Sequence, residues 1–356
     1  MATETIDPAK TEAFAGQMVG VLNNAFLGLL LSVGHQTGLF DTMSRLPAAT
    51  SADIARAAGL KERYVREWLG GMTAGHVVEY ERAGRTYRLP PEHAAVLTRA
   101  AGPGNLGRYM QYISVFGDVE QDVVACFRNG GGAPYAAYPR FQQLQAEEHD
   151  PIHDAALVET TLPLAPGLVE RLREGADVLD IGCGRGHAIN IMARAYPKSR
   201  FTGYDLSGEA MVAASTEAAD LGLSNAQFAV KDVATLEATD AYDLIVAFDV
   251  IHDLAQPERV LQAVARALRP DGTFLMIDIA ASSDVADNTT HPVGPLLYGA
   301  SVFHCMTVSL GQSGPGLGTM WGEQTAHRML EDAGFAVDIK RVPGDILNNY
   351  YIARKR

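Results

Sequence analysis

The stretch Asp177–Tyr196, "DVLDIGCGRGHAINIMARAY", contains the features that decide the fold. A short apolar run of β-forming residues leads into the glycine-rich "GCGRG", and the residues after it have the pattern of a helix. Glycines in such a loop let the backbone turn tightly and approach a ligand, with a helix N-terminus behind it. The stretch therefore predicts a strand, a ligand-binding loop and a helix.

The chain after this stretch continues to alternate between strand and helix patterns. The further strand-like runs are "RFTGYD", "AQFAVKD", "DLIVAFD" and "GTFLMIDI", with helical stretches between them. Such alternation predicts a parallel sheet with helices on both faces. We therefore expect a doubly wound, Rossmann-like α/β domain, preceded by a mainly α-helical domain.

The spacing of the loop residues distinguishes between two classes of cofactor. The glycines occupy positions 182, 184 and 186, whereas the dinucleotide fingerprint would place its third glycine at position 187, which is His187. S-adenosylmethionine has no phosphate and carries ammonium and sulfonium charges. Asp180, two residues before the loop, could stabilise those charges directly or through water. The loop therefore favours S-adenosylmethionine.

Acidic residues also end the next two strand-like runs. Asp205 is suited to accept hydrogen bonds from both ribose hydroxyls, and Asp232 is suited to the adenine amino group, beside Val233. An aspartate at one strand end is often only a turn residue or a helix cap. Three such acids in order, together with the glycine loop, predict an S-adenosylmethionine site.

Residues from about 170 to 356 resemble class I S-adenosylmethionine-dependent methyltransferases. The resemblance rests on "VLDIGCGRG", "GYD", "KDV" and "LRPDGTFLMID". It implies a seven-stranded sheet with a reversed final hairpin made by "FAVDIKRV" and "NNYYIARKR", and S-adenosylhomocysteine as the product. The expected cofactor-binding residues are Asp180, Gly182, Gly184, Gly186, Asp205, Leu206, Asp232, Val233, Phe248 and Asp249.

The stretch Thr50–Pro90 is typical of a winged helix-turn-helix. It predicts a capped helix, a turn at Gly59, a helix over Lys61–Gly70 and two strand-like pieces around Ala83-Gly84. The second helix is expected to have Tyr64, Val65, Trp68 and Leu69 on its apolar side. Such a unit could place this helix in the major groove of DNA, or it could serve as a dimerisation module.

Charge favours dimerisation over DNA binding. The net charge is −13, and residues 1–100 contain ten basic and ten acidic residues, whereas DNA affinity depends on a surplus of positive charge. A local basic stripe remains possible, formed by Arg63, Arg66, Arg82, Arg85 and Arg88. A winged helix joined to a methyltransferase domain resembles small-molecule O-methyltransferases, which use it to dimerise, and a mycobacterial and actinobacterial branch often labelled as transcriptional regulators.

The segment "AFDVIHDL", Ala247–Leu254, contains the candidate catalytic residues. It resembles the "LHDW" segment in which small-molecule O-methyltransferases have their general base, with Leu254 in place of the tryptophan. His252 could act as the base, contact the pocket or cofactor loop, or be structural. Asp253 and Asp249 could orient it or bind a charged group.

Two segments are candidates for binding the methyl acceptor. In the first, Tyr109, Tyr112 and Phe116 fall at helical spacing and form either plain core or a cover over a pocket, connected through the glycines at 130–132. The second is the insertion before the last helix, whose aromatic residues and Met306 suit an apolar or aromatic acceptor or a domain contact. Its candidate residues are Tyr298, Phe303, His304 and Trp321, with His291 nearby.

We predict a winged-helix dimerisation domain at 1–100, a helical linker or substrate cover at 101–166 and a methyltransferase domain at 167–356. Cys126, Cys183 and Cys305 have no metal-ligand spacing, so reduced thiols, no metal and a cytoplasmic location are expected. The apolar "FLGLLLSVG", Phe26–Gly34, is too short to span a bilayer and is expected to be a buried helix.

The expected function is methyl transfer to a small acceptor, at oxygen in the main hypothesis, by a homodimer with no membrane or nucleic-acid partner. The alternatives are a ligand-responsive transcriptional regulator, methyl transfer to nitrogen or carbon, and a non-methylating reaction at the same cofactor site.

Overall fold

The computed structural model describes residues 6–356 of the 356-residue chain. The chain divides into two compact units, one ending at Gly117 and one running from Asp118 to Arg356. Each unit is described by itself. The predicted middle segment, residues 101–166, is divided between them.

The first unit is helical apart from one β-hairpin. Its helices are α1 (Pro8–Gln36), α2 (Leu39–Met43), α3 (Ser51–Ala58), α4 (Glu62–Ala74), α5 (Pro91–Leu97) and α6 (Gln111–Asp118), which ends one residue past the boundary. The hairpin pairs β1 (Glu79–Glu81) with β2 (Thr86–Arg88) in antiparallel orientation. This order of two short helices followed by a hairpin is the predicted winged helix-turn-helix.

Local sequence signals explain where the winged helix begins and turns. Thr50 caps α3, because its hydroxyl accepts a hydrogen bond from the Asp53 N–H. Gly59 ends the helix in the left-handed conformation, with φ 69°. Val65, Trp68 and Leu69 are buried as expected, but Tyr64 is 80% exposed. The prediction for Tyr64 was wrong, because its position lies one residue outside the apolar stripe of α4.

The expectation of a buried helix at Phe26–Gly34 holds for one face only, because Leu27, Leu30 and Leu31 pack against the core of the first unit while Phe26, Leu29 and Val33 are exposed. This segment lies within the 29-residue helix α1, of which the only buried residues are Gly28, Ser32, Gly34 and His35. Large apolar side chains on α1 are exposed, among them Val19, Leu22 and Phe26. By length and composition alone, α1 is long and apolar enough to cross a membrane, and only 6% of its most apolar 18-residue stretch is buried within the structure. The short apolar run was only the end of a longer apolar helix.

The second unit is an α/β domain. Its strands are β3 (Asp177–Ile181), β4 (Arg200–Asp205), β5 (Ala226–Val230), β6 (Tyr242–Phe248), β7 (Leu268–Ile279), β8 (Phe335–Lys340) and β9 (Asn348–Lys355). Its helices are α7 (Glu120–Asn129), α8 (Phe141–Ala156), α9 (Leu168–Glu174), α10 (His187–Ala195), α11 (Gly208–Asp220), α12 (Pro257–Ala267), α13 (Gly294–Ala300), α14 (Met306–Gly311) and α15 (Glu323–Asp332).

The seven strands form one sheet in the order β5-β4-β3-β6-β7-β9-β8. Strands β3 to β7 pair in parallel, while β9 is antiparallel to both β7 and β8. The sheet is buried on both faces, in one apolar cluster that includes Ile245 and Phe274 and another that includes Val178 and Leu244. The predicted doubly wound α/β fold and its reversed hairpin are confirmed. The order of the strands also brings the carboxyl ends of β3, β4, β5 and β6 to one edge of the sheet.

Candidate active site

The glycine loop between β3 and α10 has a backbone that only glycine adopts without strain. Gly182, Gly184 and Gly186 have φ values of 70°, 52° and 76°. A Cβ on Gly182 would lie 2.7 Å from the side chain of Val250, and a Cβ on Gly186 would lie 2.5 Å from Cβ of Ala214. Steric exclusion as well as backbone conformation therefore explains the glycines at 182 and 186.

The first two strand-end acids lie beside this loop. One carboxylate oxygen of Asp205 accepts a hydrogen bond from the Gly184 N–H at 2.9 Å, and the other accepts one from the Ser207 N–H at 2.8 Å. Asp180 is buried, and burial together with the neighbouring charge of Asp205 raises its pKa well above the usual value. Two carboxyl groups are thus held close together where a cationic ligand would stabilise their ionised forms.

The third acid begins a short helical turn after β5. Asp232 accepts a hydrogen bond from the Ala234 N–H at 2.9 Å, and Val233 next to it is buried. The Lys231 ammonium group lies 4.8 Å from the centre of the Tyr204 ring. The turn is therefore fixed locally, with an acid and an apolar side chain side by side.

A cavity of about 630 Å³ lies along this edge of the sheet. All ten residues predicted to bind the cofactor line it: Asp180, Gly182, Gly184, Gly186, Asp205, Leu206, Asp232, Val233, Phe248 and Asp249. Residues of α8 form another part of the lining, among them Gln142, His149 and His153. The cavity is large enough for a drug-sized ligand and combines apolar walls with a few polar groups.

Asp249 follows β6 in a strained conformation, with φ 54°. Burial raises the pKa of its carboxyl group to about 7, although the nearby His149 acts to lower it. The His149 Nδ1 atom lies 4.0 Å from a carboxylate oxygen of Asp249. A strained, buried carboxyl group on a cavity wall is typical of functional sites.

His252 lies in a short helical turn, Ile251–Asp253, immediately after this strained residue. Its side chain is 3% exposed and does not line the cavity, whereas Asp253 does. Nδ1 of His252 is hydrogen-bonded to Asp278 at 2.7 Å, and Nε2 lies 3.2 Å from an oxygen of Asp253. Burial by itself lowers the pKa of His252, but the carboxylates of Asp278 and Asp253 raise it well above its usual value.

Asp278 is an oriented carboxylate that the sequence did not single out. One of its oxygens accepts hydrogen bonds from the Trp321 indole N–H at 2.9 Å and the Ile279 N–H at 2.8 Å, in addition to its contact with His252. Asp278 is fully buried near the end of β7. Because it accepts the hydrogen bond from Nδ1 of His252, Nε2 is the ring nitrogen directed toward Asp253.

The predicted acceptor-binding residues lie in several places. Trp321 and His304 are buried, and Trp321 serves to hold Asp278. Tyr298 is partly exposed and interacts with Asn288, and the backbone carbonyl of Phe303 accepts a hydrogen bond from Tyr138. None of these four lines the cavity. Tyr109, Tyr112 and Phe116 belong to the first unit, with the Tyr112 and Phe116 rings 5.4 Å apart, and their assignment to the acceptor stays a prediction.

Sequence reasoning did not select three further aromatic residues that line the cavity. Tyr135, Tyr138 and Phe141 line it together with Asp253. The Tyr135 hydroxyl lies 3.4 Å from Asp253 as a hydrogen-bond donor, and the rings of Tyr138 and Phe141 contact His304. The signal available in the sequence was that Tyr135, Tyr138 and Phe141 recur every three residues shortly after the glycines at 130–132. The structure therefore places an aromatic wall beside the predicted catalytic segment.

Comparison with known proteins identifies both parts of the chain. Residues 25–99 match the Rv2258c-like winged HTH domain, and residues 172–334 match a methyltransferase domain family. Among solved structures, human N-acetylserotonin methyltransferase in complex with S-adenosylmethionine has a TM-score of 0.70 at 18% identity, covering 99% of each chain. Mitomycin 7-O-methyltransferase has a TM-score of 0.73 at 17% identity, covering 98% of this chain and all of the other.

Six curated sequence relatives match 30% to 35% of this chain. The ubiquinone biosynthesis O-methyltransferase of Paracidovorax citrulli is 31% identical over 114 residues, which are 31% of this chain and 47% of the relative. The chain spans less than half the length of the curated relatives it matches. Together, the comparisons support a methyltransferase with S-adenosylmethionine as its cofactor.

Proposed function

We propose that this chain, which joins an Rv2258c-like winged HTH domain to a methyltransferase domain, transfers a methyl group from S-adenosylmethionine to a small acceptor. The observation that carries the proposal is the cavity, in which the glycine loop and the acids of three consecutive strands meet. Bound S-adenosylmethionine supplies an electrophilic methyl group. The carboxyl groups of Asp180, Asp205 and Asp232 suit its cationic, ribose and adenine portions, respectively.

The acceptor class follows from the aromatic residues that line the same cavity. Tyr135, Tyr138 and Phe141 provide aromatic surface, and Asp253 provides a carboxylate beside it. Such a wall suits a flat, largely apolar or aromatic molecule with a polar group directed toward Asp253. Methyl transfer by in-line displacement requires the acceptor to be held in one orientation with water excluded, and these rings serve both purposes.

For a hydroxyl acceptor, we assign the general base to His252. Asp278 holds Nδ1, so Nε2 is the atom available to take the acceptor's proton, relayed through Asp253 at 3.2 Å because the imidazole is buried. The two carboxylates stabilise the imidazolium ion that forms. Methyl transfer to a nitrogen or carbon atom of the acceptor is the alternative. In that case His252 would only help to position the segment Ala247–Leu254.

Regulation of transcription is the second candidate, favoured by the winged HTH domain. The charge pattern of this domain argues against DNA binding, because three arginines of the basic stripe pair with glutamates. The pairs are Arg63 with Glu67, Arg66 with Glu62, and Arg88 with Glu79. These pairs neutralise much of the basic stripe that phosphate contacts would need. We therefore favour a soluble cytoplasmic homodimer in which the winged helix contributes to self-association.

A labelled-methyl screen tests the proposal. Purified protein is incubated with methyl-labelled S-adenosylmethionine and fractionated small molecules of a cell extract. We expect a labelled product from the parent protein. His252→Ala should lower kcat about 100-fold or more, because general bases contribute about 10² to 10⁴ in rate. The same variant should change cofactor affinity little. His327→Ala, which changes a histidine on α15 away from the cavity, is the matched control. Specific binding of DNA fragments without any methyl transfer would instead favour the regulator.

A further inference from the structure

Four buried side chains with metal-binding donor atoms lie close together, and one of them, Asp253, lines the cavity. One donor atom each from His252, Asp253 and Cys305 lie within 4.8 Å of one another, and all three residues are buried. His304 lies beside this group, with its Nδ1 atom 3.9 Å from an oxygen of Asp253, and is the candidate for a fourth donor. We refer to these four residues as the inner cluster.

The inner cluster contains a buried histidine whose ring nitrogens have no hydrogen-bond partner among the described residues. His304 is fully buried, and both Nδ1 and Nε2 lack such a partner. Its ring stacks on Phe141, with 3.5 Å between ring centres, which fixes its plane. Buried polar atoms are normally satisfied, and an exception calls for an unmet partner such as an ion or water.

Asp278 provides the outer support that metal-binding histidines usually have. Its carboxylate accepts a hydrogen bond from Nδ1 of His252 at 2.7 Å and is itself fixed by Trp321. This arrangement leaves Nε2 as the ligand atom and orients the ring, as in carboxylate–histidine–zinc triads. Asp253 lines the cavity, which gives a cation a route to the inner cluster.

We propose that the inner cluster binds one divalent cation of borderline softness, of which Zn²⁺ fits best. Two imidazole nitrogens, one thiolate and one carboxylate are a donor set that Zn²⁺ accepts in tetrahedral geometry. Bonds of about 2.0 to 2.3 Å hold such donors roughly 3.3 to 3.8 Å apart. The donor atoms of His252, Asp253 and Cys305 must therefore close in by up to about 1.5 Å, and the His304 ring must move toward them. The Cys305 thiol and Nε2 of the protonated His252 ring each release a proton to solvent when their bonds to the metal form, while Nδ1 keeps the proton that it donates to Asp278.

Metal binding has a consequence for the reaction that rests on the proposed function. A cation bonded to Nε2 of His252 occupies the lone pair with which this atom would accept a proton. Zn²⁺ is therefore an inhibitor of methyl transfer that is relieved by a chelator. The metal site itself does not depend on this role of His252.

Titration of the metal-stripped full-length protein with Co²⁺ tests the site directly. We expect one Co²⁺ per chain, thiolate-to-metal charge-transfer absorption and the intense visible bands of a tetrahedral complex, all displaced by Zn²⁺. Cys305→Ser should abolish the charge-transfer absorption, and His304→Ala should weaken binding at least tenfold. Asp278→Asn should weaken it about 10- to 100-fold through loss of outer support.

Cys126→Ser, which changes a thiol on α7, is the matched control and should keep the absorption. Circular dichroism verifies that each variant is folded. If Cys305→Ser does not fold, the double variant Cys126→Ser with Cys183→Ser, which leaves Cys305 as the one thiol of the chain, should keep the charge-transfer absorption. Octahedral spectra, unchanged absorption in Cys305→Ser or loss of the absorption in the double variant would overturn the metal site. Calorimetry with S-adenosylmethionine on the same samples tests the proposed function separately, because cofactor binding does not require the inner cluster.

Discussion

At the scale of single residues, the charge on His252 determines when it can act as a base. Asp278 and Asp253 raise its pKa well above the ordinary value, against the effect of burial. A base must be deprotonated before it accepts a proton, so kcat/KM should increase as the pH rises through this raised pKa.

Asp278→Asn removes the main charge that raises the pKa of His252. We predict that the rising limb of the pH–rate profile moves to lower pH in this variant, while the maximal rate falls because the ring loses its orientation. Profiles of kcat/KM for the parent and the variant measure both effects. An unshifted limb would show that His252 is not the group that titrates.

Asp180 gives a second prediction at this scale. Burial and the charge of Asp205 raise its pKa well above the usual value. This environment favours the protonated carboxyl group, whereas a cationic ligand favours the ionised one. Binding of S-adenosylmethionine should therefore release a proton. The calorimetric binding enthalpy should then depend on the ionisation enthalpy of the buffer, and this dependence should be much weaker in Asp180→Asn. Equal dependence in both proteins would contradict the placement of the cofactor's charges at Asp180.

At the scale of elements, the loop between β3 and α10 combines a left-handed backbone with close packing. Gly186→Ala should cost about 1 to 2 kcal/mol for the left-handed conformation and about 1 to 3 kcal/mol more for overpacking, because its Cβ would collide with Ala214 and Phe228. Gly222→Ala has a similar φ, 67°, with no heavy atom within 4 Å of the new Cβ.

Denaturant unfolding of the two glycine variants separates conformation from packing. We expect the loss in unfolding free energy to be larger for Gly186→Ala, and S-adenosylmethionine affinity to fall in that variant alone. Equal losses of unfolding free energy in the two variants would mean that the loop accommodates the new side chain without a packing penalty.

The elements of the second unit were predictable because their signals are local. Each strand is a short apolar run, and Asp180, Asp205 and Asp232 follow from the rule that parallel strands deliver their carboxyl ends to one edge. The inner cluster was not predictable in this way. His252 and Asp253 are about fifty residues from His304 and Cys305, and packing of α14 and the residues just before it against the turn Ile251–Asp253 brings them together. Tyr135 and Tyr138 escaped notice for the same reason.

At the scale of the whole molecule, the exposed apolar side chains of α1 require an explanation. Val19, Leu22 and Phe26 are 57%, 60% and 65% exposed, and contiguous apolar surface of this kind marks an interaction site. The proposed homodimer would bury it. We predict that Leu22→Glu with Phe26→Glu converts the dimer to a monomer in analytical ultracentrifugation, whereas Val285→Glu, at an equally exposed site in the second unit, does not.

A dimer that persists in the α1 variant would contradict self-association through this helix. Co-sedimentation of the parent protein with lipid vesicles, lost in the same variant, would show that α1 covers its apolar surface with membrane instead. The sequence did not reveal this surface, because the exposure of a long apolar helix depends on which neighbours pack against it.

The central claim is that the cavity binds S-adenosylmethionine through the acids at the strand ends, and isothermal titration calorimetry tests it most directly. The account predicts one S-adenosylmethionine bound per chain, binding weakened at least tenfold in Asp205→Ala, and unchanged binding in Asp220→Ala, which removes an exposed acid at the end of α11. No binding by the parent protein, or equal affinity of the parent and Asp205→Ala, would contradict it.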